Sequence, residues 1–368
     1  MKNHLILLFA LLLVAAVPAQ GQGVDELNKR GKTRLDQGNW DGAVLDFTQV
    51  IQLNPQLADA YSNRGIAKYG KGDLEGAAAD EEHAIELDPK NASAYYYRGL
   101  LKYRTEDLDG ALGDFNKAIE LDPKDADVFN NRGNLKDDKG DYDGAISDYD
   151  QAIALVPKHA AAYNNRGNSK REKGDLDGAI DDFSRAIDIN PKYALAYRNR
   201  GRARQAKGDK EQALADFDHA IQAAPNYADA YVSRGIAKEQ WRDIEGAISD
   251  LNQAIKLNPK NPDAYNARGN AEDDKGDHDT AISDYNRALD LDPKFGDAYY
   301  NRGLAKKGKG DMDGAISDYN RAIEIDPQNA NAWFKRGVAK RAKGDAEGAA
   351  ADFNHAHDLN PKLSPPKK

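Results

Sequence analysis

The sequence predicts an all-α protein, a right-handed solenoid or superhelix of ten tandem helix-turn-helix repeats. Three observations predict it. Proline recurs at Pro55, Pro89, Pro123, Pro157, Pro191, Pro225, Pro259, Pro293, Pro327 and Pro361, at one unvarying interval with no insertion. An Arg-Gly pair keeps the same step, from Arg30-Gly31 and Arg64-Gly65 to Arg336-Gly337. Within each period, apolar residues fall at helical spacing around a turn. A fixed period of this length marks supersecondary units that bury their apolar faces only by stacking. The predicted repeats are 24–57, 58–91, 92–125, 126–159, 160–193, 194–227, 228–261, 262–295, 296–329 and 330–363. A flexible leader is expected at 20–23 and a disordered tail at 364–368.

Residues 1–19 differ from the rest. Lys2 is followed by an unbroken apolar run from Leu5 to Val17, and Val17-Pro18-Ala19 offers small residues for cleavage. This is the pattern of a secretory signal peptide. The alternative is an uncleaved anchor, but the run falls short of the roughly 20 residues that span a bilayer. The protein is therefore expected to be exported, periplasmic or secreted, with no stable membrane insertion after cleavage. The absence of cysteine excludes lipidation at a cysteine, disulfides and thiolate metal sites.

One period, residues 126–157, shows why two helices form. Val128, Phe129, Arg132, Gly133, Leu135 and Lys136 belong to the first. Lys139-Gly140 ends it, because glycine takes the left-handed cap conformation readily. Asp141 caps the second helix and Asp143 favours its positive end. Tyr142, Ala145, Ile146, Tyr149, Ala152 and Ile153 then make one apolar stripe, which Pro157 stops. Gly133 sits mid-helix, where glycine costs about 1 kcal/mol against alanine. Its recurrence implies close approach of the partner helix.

These residues carry a family resemblance. An aromatic, Gly, Gly, Ala, aromatic, Ala and Pro stand in one repeat as Tyr299, Gly303, Gly310, Ala315, Tyr319, Ala322 and Pro327. The pattern resembles the tetratricopeptide repeat across residues 24–363. Two departures are systematic. Arginine precedes every first-helix glycine, where the family usually has an apolar residue. Lys or Arg follows three positions after that glycine, where the family has an aromatic, with Glu272 the exception.

Each of these arginines has an aspartate at a constant distance downstream, from Arg30 with Asp46 and Arg64 with Asp80 to Arg336 with Asp352. Both lie equally far from the turn, so they face each other across the hairpin. Structural ion pairs such as Arg64 with Asp80, Arg132 with Asp148 and Arg302 with Asp318 are expected, within a repeat or to its neighbour. The functional alternative is a row of arginines for anionic ligands.

Net charge is -9, with no basic block to bind nucleic acid. No Walker loop, G-x-S-x-G elbow or H-E-x-x-H motif occurs, so neither enzyme activity nor a cofactor is expected. His83, His219 and His355 share one repeat position four repeats apart, which spreads them out. The turn from Lys139 to Gly144 only partly mimics a calcium loop, beginning on a cation. No metal site is expected.

The resemblance implies that first helices line a concave groove for peptides or protein segments. Specificity must then sit where repeats differ. Repeats 2 and 3 offer Ser62, Ile66, Tyr69, Tyr96, Leu100 and Tyr103. Repeats 4 and 5 offer Asn130, Asn134, Asp137, Asn164, Asn168 and Arg171. Repeats 9 and 10 return to Tyr300, Leu304, Lys307, Phe334, Val338 and Arg341. The groove is thus expected to have sticky aromatic ends and a polar middle, the ends being the candidate binding patches. Alternatively, these side chains pack against neighbouring helices. The family's carboxylate clamp is not expected, since Asp59, Asp127, Asp229, Asp263 and Asp297 stand at its lysine positions. The expected function is a protein-binding scaffold of an exported compartment. The alternative is a self-assembling structural solenoid, and weak self-association is compatible with either.

Overall fold

The computed structural model describes residues 20–363. The expected signal segment and C-terminal tail lie outside the described residues. The chain divides into two compact units, Met1–Lys173 and Gly174–Lys368. The first holds α1 (Gln20–Asp36), α2 (Trp40–Leu53), α3 (Ala58–Lys71), α4 (Leu74–Leu87), α5 (Ala92–Arg104), α6 (Leu108–Leu121), α7 (Ala126–Asp138), α8 (Tyr142–Leu155) and α9 (Ala160–Glu172). The second holds α10 (Leu176–Ile189), α11 (Ala194–Lys207), α12 (Lys210–Ala223), α13 (Ala228–Gln240), α14 (Ile244–Leu257), α15 (Pro262–Lys275), α16 (His278–Leu291), α17 (Gly296–Gly308), α18 (Met312–Ile325), α19 (Ala330–Ala342) and α20 (Ala346–Leu359). The described residues contain no strand. The helix α1 starts at Gln20, so the segment expected as a flexible leader is helical. Gly21 and Gly23 disfavour helix, but no proline or cap separates them from Val24, and the helix propagates through them.

Within each unit the odd-numbered helices touch their odd-numbered neighbours: α3 meets α5, α5 meets α7, α7 meets α9, and α15 meets α17. The even-numbered helices, from α2 onward, touch only odd-numbered ones. The first helix of each repeat therefore lines the inner side, where spacing is tightest.

The turn between the helices is built from backbone chemistry. Gly140, at φ 76°, closes α7, and its N–H donates to Asp137 O at 2.8 Å. Asp141 then accepts from Gly144 N at 3.0 Å and starts α8. The same positive φ is held by Glu106 (64°) and Arg242 (66°), where the turn glycine is missing. Helix packing thus dictates the turn, and L residues adopt a left-handed conformation that costs them about 1–2 kcal/mol.

The mid-helix glycine meets the expected close neighbour, a side chain of the second helix. A Cβ on Gly133 would lie 2.6 Å from the Tyr149 ring, and one on Gly31 would lie 2.7 Å from Phe47. The ring lies on bare backbone, which lets an aromatic residue be fully buried between two thin helices.

Beside each glycine sits the arginine. Arg132 Nε and Nη2 donate to both oxygens of Asp148 at 2.8 and 2.6 Å. Arg64 forks onto Asp80 in the same way, as does Arg302 onto Asp318. The aspartates are 3–4% exposed in these three repeats, so each is a desolvated anion that needs its cation. A second cation completes the charge: Lys136 Nζ lies 2.8 Å from Asp148 Oδ2, and Lys68 lies 2.8 Å from Asp80 Oδ2. The remaining guanidinium nitrogen reaches the preceding repeat. Arg132 Nη1 donates to Asn116 at 2.7 Å and Arg302 Nη1 to Asn286 at 2.6 Å. The guanidinium also stacks on the repeat aromatic, Arg132 over Phe129 at 5.5 Å and Arg302 over Tyr299 at 5.3 Å. The Arg–Asp pair therefore lies within the repeat, while the neighbour supplies a further acceptor, neutral at Asn116 and Asn286 and acidic at Asp218, which lies 2.5 Å from Arg234 Nη1. The fifth repeat is divided at Gly174, between its Arg166 and Asp182.

The close approach at glycine gives a counter-intuitive expectation. Gly133→Ala raises helix propensity, yet it should destabilise the first unit by about 2 kcal/mol through overpacking against Tyr149. Urea unfolding checks this; an unchanged or higher midpoint would contradict it.

Candidate functional site: the inner face of the first helices

The residues expected as groove anchors are mostly half-buried. Tyr96, Leu100 and Tyr103 pack against a core of Ala111, Phe115, Ala118, Val128 and Leu135. In the second unit, Tyr300 and Leu304 pack against Ala315, Tyr319 and Ala339. The Phe334 ring lies 5.3 Å from Phe353, and exposed Arg341 lies over Phe353 at 5.5 Å. Ile66, Lys307 and Val338 are half-buried on the same row. These aromatic patches spend much of their surface on neighbouring helices.

Two hollows open in the polar middle. A hollow of about 290 Å³ is lined by Tyr103, Asn134, Asp137, Asp138, Asn165 and Asn168. A second of about 210 Å³ shares Asp137, Asp138 and Asn168 with it and adds Tyr142, Ser169 and Glu172. Both belong to α5, α7, α9 and the start of α8. Of the expected anchors, only Tyr103 lines either of these hollows.

The hollow is held by a polar network. Asn165 Nδ2 donates to Asn130 Oδ1 at 3.1 Å and to Asn134 Oδ1 at 2.9 Å. The Tyr149 hydroxyl reaches Asp137 Oδ2 at 2.7 Å, and Ser169 Oγ reaches Asp137 Oδ1 at 2.7 Å. Tyr103 donates its hydroxyl to Asp138. Burial holds the Asp137 carboxyl above its usual range, opposed by the Ser169 and Tyr149 hydroxyls and reinforced by Asp138 and Glu172. Burial raises the Tyr103 hydroxyl too, with Asp138 adding to the effect. The nearby lysines turn outward, Lys139 to Asp109 and Lys173 to Asp143, while Arg171 binds Glu172 at 2.7 Å. The hollow is therefore acidic, with amide groups along one wall.

Repeat 8 echoes this arrangement in the second unit. Asn301 donates to Asn266 at 3.2 Å and Tyr285 to Asn270 at 2.8 Å. Its acids are matched by cations, however: Arg242 lies 2.8 Å from Asp274, and His278 Nδ1 lies 2.6 Å from Asp273. The acids at the clamp positions have a structural task. Asp59 accepts from Asn91 at 3.2 Å and Asp229 from Asn261 at 3.3 Å, each linking successive first helices. Within their own repeats, His83 meets the Tyr61 ring edge-on, His219 stacks on Tyr197 and His355 lies tilted against Trp333. Among the described residues, no three His, Asp or Glu side chains are grouped to hold a metal.

One residue departs from the repeat plan and escaped the sequence reading. At the second-helix position of Phe47, Phe115, Tyr149 and Leu251 stands Glu81. It is fully buried on Gly65, where a Cβ would lie 2.4 Å from its Oε1. Neither carboxyl oxygen nor the buried Ser62 hydroxyl beside it has a hydrogen-bond partner beyond one another. Burial pushes the Glu81 carboxyl up to about 9; Ser62 opposes the rise and Asp80 adds to it. A buried carboxyl without partners costs about 1–3 kcal/mol even when neutral.

The sign of the pH effect follows. An unfolded chain loses this proton near pH 4.5, whereas the folded chain keeps it to about pH 9. Folding therefore retains a proton, and the stability of the first unit falls as pH rises across that window. Compared with Glu81→Leu, the wild-type denaturation midpoint should drop between pH 5 and pH 8.5. Parallel pH profiles would show that Glu81 is ionised or hydrated in the folded state.

Comparison with known proteins agrees with this architecture. Tetratricopeptide-repeat family models match residues 68–126, 130–194 and 194–227, and a TPR repeat model matches 31–72, 243–272, 269–310 and 305–344. No curated protein matches the chain significantly. Among solved structures, the APC/C hetero-tetramer Cut9-Hcn1 is similar over 93% of this chain and 84% of that one, with a TM-score of 0.59 and 16% identity. Yeast Tom70 is similar over 92% of each chain, with a TM-score of 0.51 and 16% identity. A tetratricopeptide repeat protein from Parabacteroides merdae covers 64% of this chain and 93% of its own, with a TM-score of 0.52 and 23% identity. At these identities the similarity is one of fold. The repeat period, the paired helices and the family matches together make this chain a member of the tetratricopeptide-repeat family.

Proposed function

We propose that the protein is a non-enzymatic scaffold of an exported compartment that binds an extended peptide segment carrying a basic side chain along α5, α7 and α9. The acidic hollow at Asp137, Asp138 and Asn168 is the observation that carries the reading. The amides of Asn134, Asn165 and Asn168 suit a peptide backbone, which offers both donors and acceptors. Asp137 and Asp138, which have hydroxyl partners but no cation, suit a lysine or arginine side chain. A hollow of about 290 Å³ fits a side chain with its flanking backbone. Tyr103 supplies a rigid aromatic wall, the kind of residue that anchors interfaces. Lys2 and the apolar run at 5–17 support the exported compartment.

A peptide array tests this reading. Peptides with Lys or Arg should be retained over matched peptides with Glu, and retention should fall as salt rises. The Asp137→Asn, Asp138→Asn double variant should weaken the best binder at least tenfold in calorimetry. Equal binding by wild type and the double variant would overturn the site. Concentration-dependent growth in light scattering, with no peptide retained, would favour a self-assembling solenoid instead.

A further inference from the structure

We propose that Glu81, Ser62 and the rings of Tyr69, Tyr96 and Tyr97 form a second subsite, which takes the primary ammonium group of a ligand. The inference rests on three independent features of α3, α4 and α5. First, the Glu81 and Ser62 side chains, 0% and 3% exposed, bring together three oxygens that have no partner beyond one another. Second, Tyr97 lies close enough to feel the Glu81 charge, and two more half-buried rings meet it edge-on, Tyr69 at 6.5 Å and Tyr96 at 5.0 Å. Electron-rich ring faces attract cations, and Arg104 already lies over Tyr69 at 5.8 Å. Third, the carboxyl replaces a residue that packs well elsewhere, since Phe47 and Phe115 fill the same slot in flanking repeats. An acid kept in an aromatic slot, with aromatic rings around it, has the chemistry of a cation receptor.

The chemistry selects an ammonium over other cations. Its three N–H donors match the two Glu81 oxygens and the Ser62 oxygen. A guanidinium is flat and wide, whereas an ammonium is compact. Entry requires a rotamer change of one half-buried ring; Tyr97 is the ring whose hydroxyl is raised by burial and by the Glu81 charge. The other charges around the carboxyl are already satisfied. Asp80, next to it on α4, is held by Arg64 and Lys68 of α3. Among the described residues no cation pairs with Glu81.

Binding must also move a proton. Free Glu81 is protonated at neutral pH, with its carboxyl pushed up to about 9. An incoming ammonium pairs with the carboxylate, so one proton leaves Glu81 for solvent and the ammonium keeps its own. Affinity should therefore rise about tenfold for each pH unit between pH 6 and pH 8.

The test uses n-butylammonium as probe and n-butanol as its neutral control, followed by tyrosine-ring NMR shifts on the whole protein. Saturable shifts at Tyr69, Tyr96 and Tyr97 with butylammonium alone, tightening as pH rises, are expected. Glu81→Gln should lose at least tenfold in affinity. Glu81→Phe restores the residue type of the flanking repeats, so it should fold and bind nothing. Absence of saturable shifts in wild type, equal binding by Glu81→Phe, or an affinity independent of pH would overturn the proposal. Two peptides identify the source of the ammonium, N-acetyl-Gly-Lys-Gly-amide for a side chain and free-amine Gly-norleucine-Gly-amide for an amino terminus. One should displace butylammonium; displacement by neither overturns the peptide assignment. The Asp137→Asn, Asp138→Asn variant should bind butylammonium normally, so this subsite and the acidic hollow fail or stand separately.

Discussion

A buried aspartate on the second helix must be neutralised where it sits, and the repeat is organised around that requirement. Asp148 accepts both arms of Arg132 and a lysine nitrogen. The arginine is rigid and planar, so fixing it on Asp148 also fixes its third nitrogen and its ring-facing surface. Those two features engage Asn116 of the preceding repeat and Phe129 of its own helix. One guanidinium therefore sets the hairpin angle and the step between repeats together. The neighbouring glycine lets the aromatic of the second helix lie against bare backbone. Charge and close packing thus occupy adjacent positions on the same helix.

This internal economy separates framework from function. The recurring arginines face aspartates and aromatics, which leaves no row of free cations for an anionic ligand among the pairs described. Inner-face positions that are not spent on the hairpin differ between repeats. Where they are small or short and polar, as at Asn134, Asn168 and Ser169, a hollow opens. Where they are large and apolar, as at Tyr300 and Leu304, the helices close over the core.

The hairpin was legible in the sequence because its signals are local and recur in nearly every repeat. Glycine and aspartate at the turn, proline at the end, and a base and an acid equidistant from the turn all report contacts within a single period. Contacts between repeats were less legible. Asn116 is a neutral residue with no partner in the pattern, and its role depends on how far one hairpin steps from the next. The hollow was not legible for a related reason. Pattern reading ranks residues by apolarity and so favoured Tyr69, Tyr96 and Tyr300, while empty space comes from what short side chains fail to fill. Glu81 had a visible signal, a single acid in a column of aromatics and one leucine. It needed a comparison down the column rather than along the chain.

The central claim is that the Arg–Asp fork holds the hairpin as a coupled pair. Equilibrium unfolding of Arg132→Met, Asp148→Leu and the double variant tests it most directly. Arg132→Met leaves the buried Asp148 with Lys136 alone, and Asp148→Leu leaves both cations without their acid; each single change should cost on the order of 3 kcal/mol, whereas the double variant should recover part of that loss. Single costs below about 1 kcal/mol, or costs that simply add in the double variant, would show that the two charges act independently and that packing alone sets the repeat.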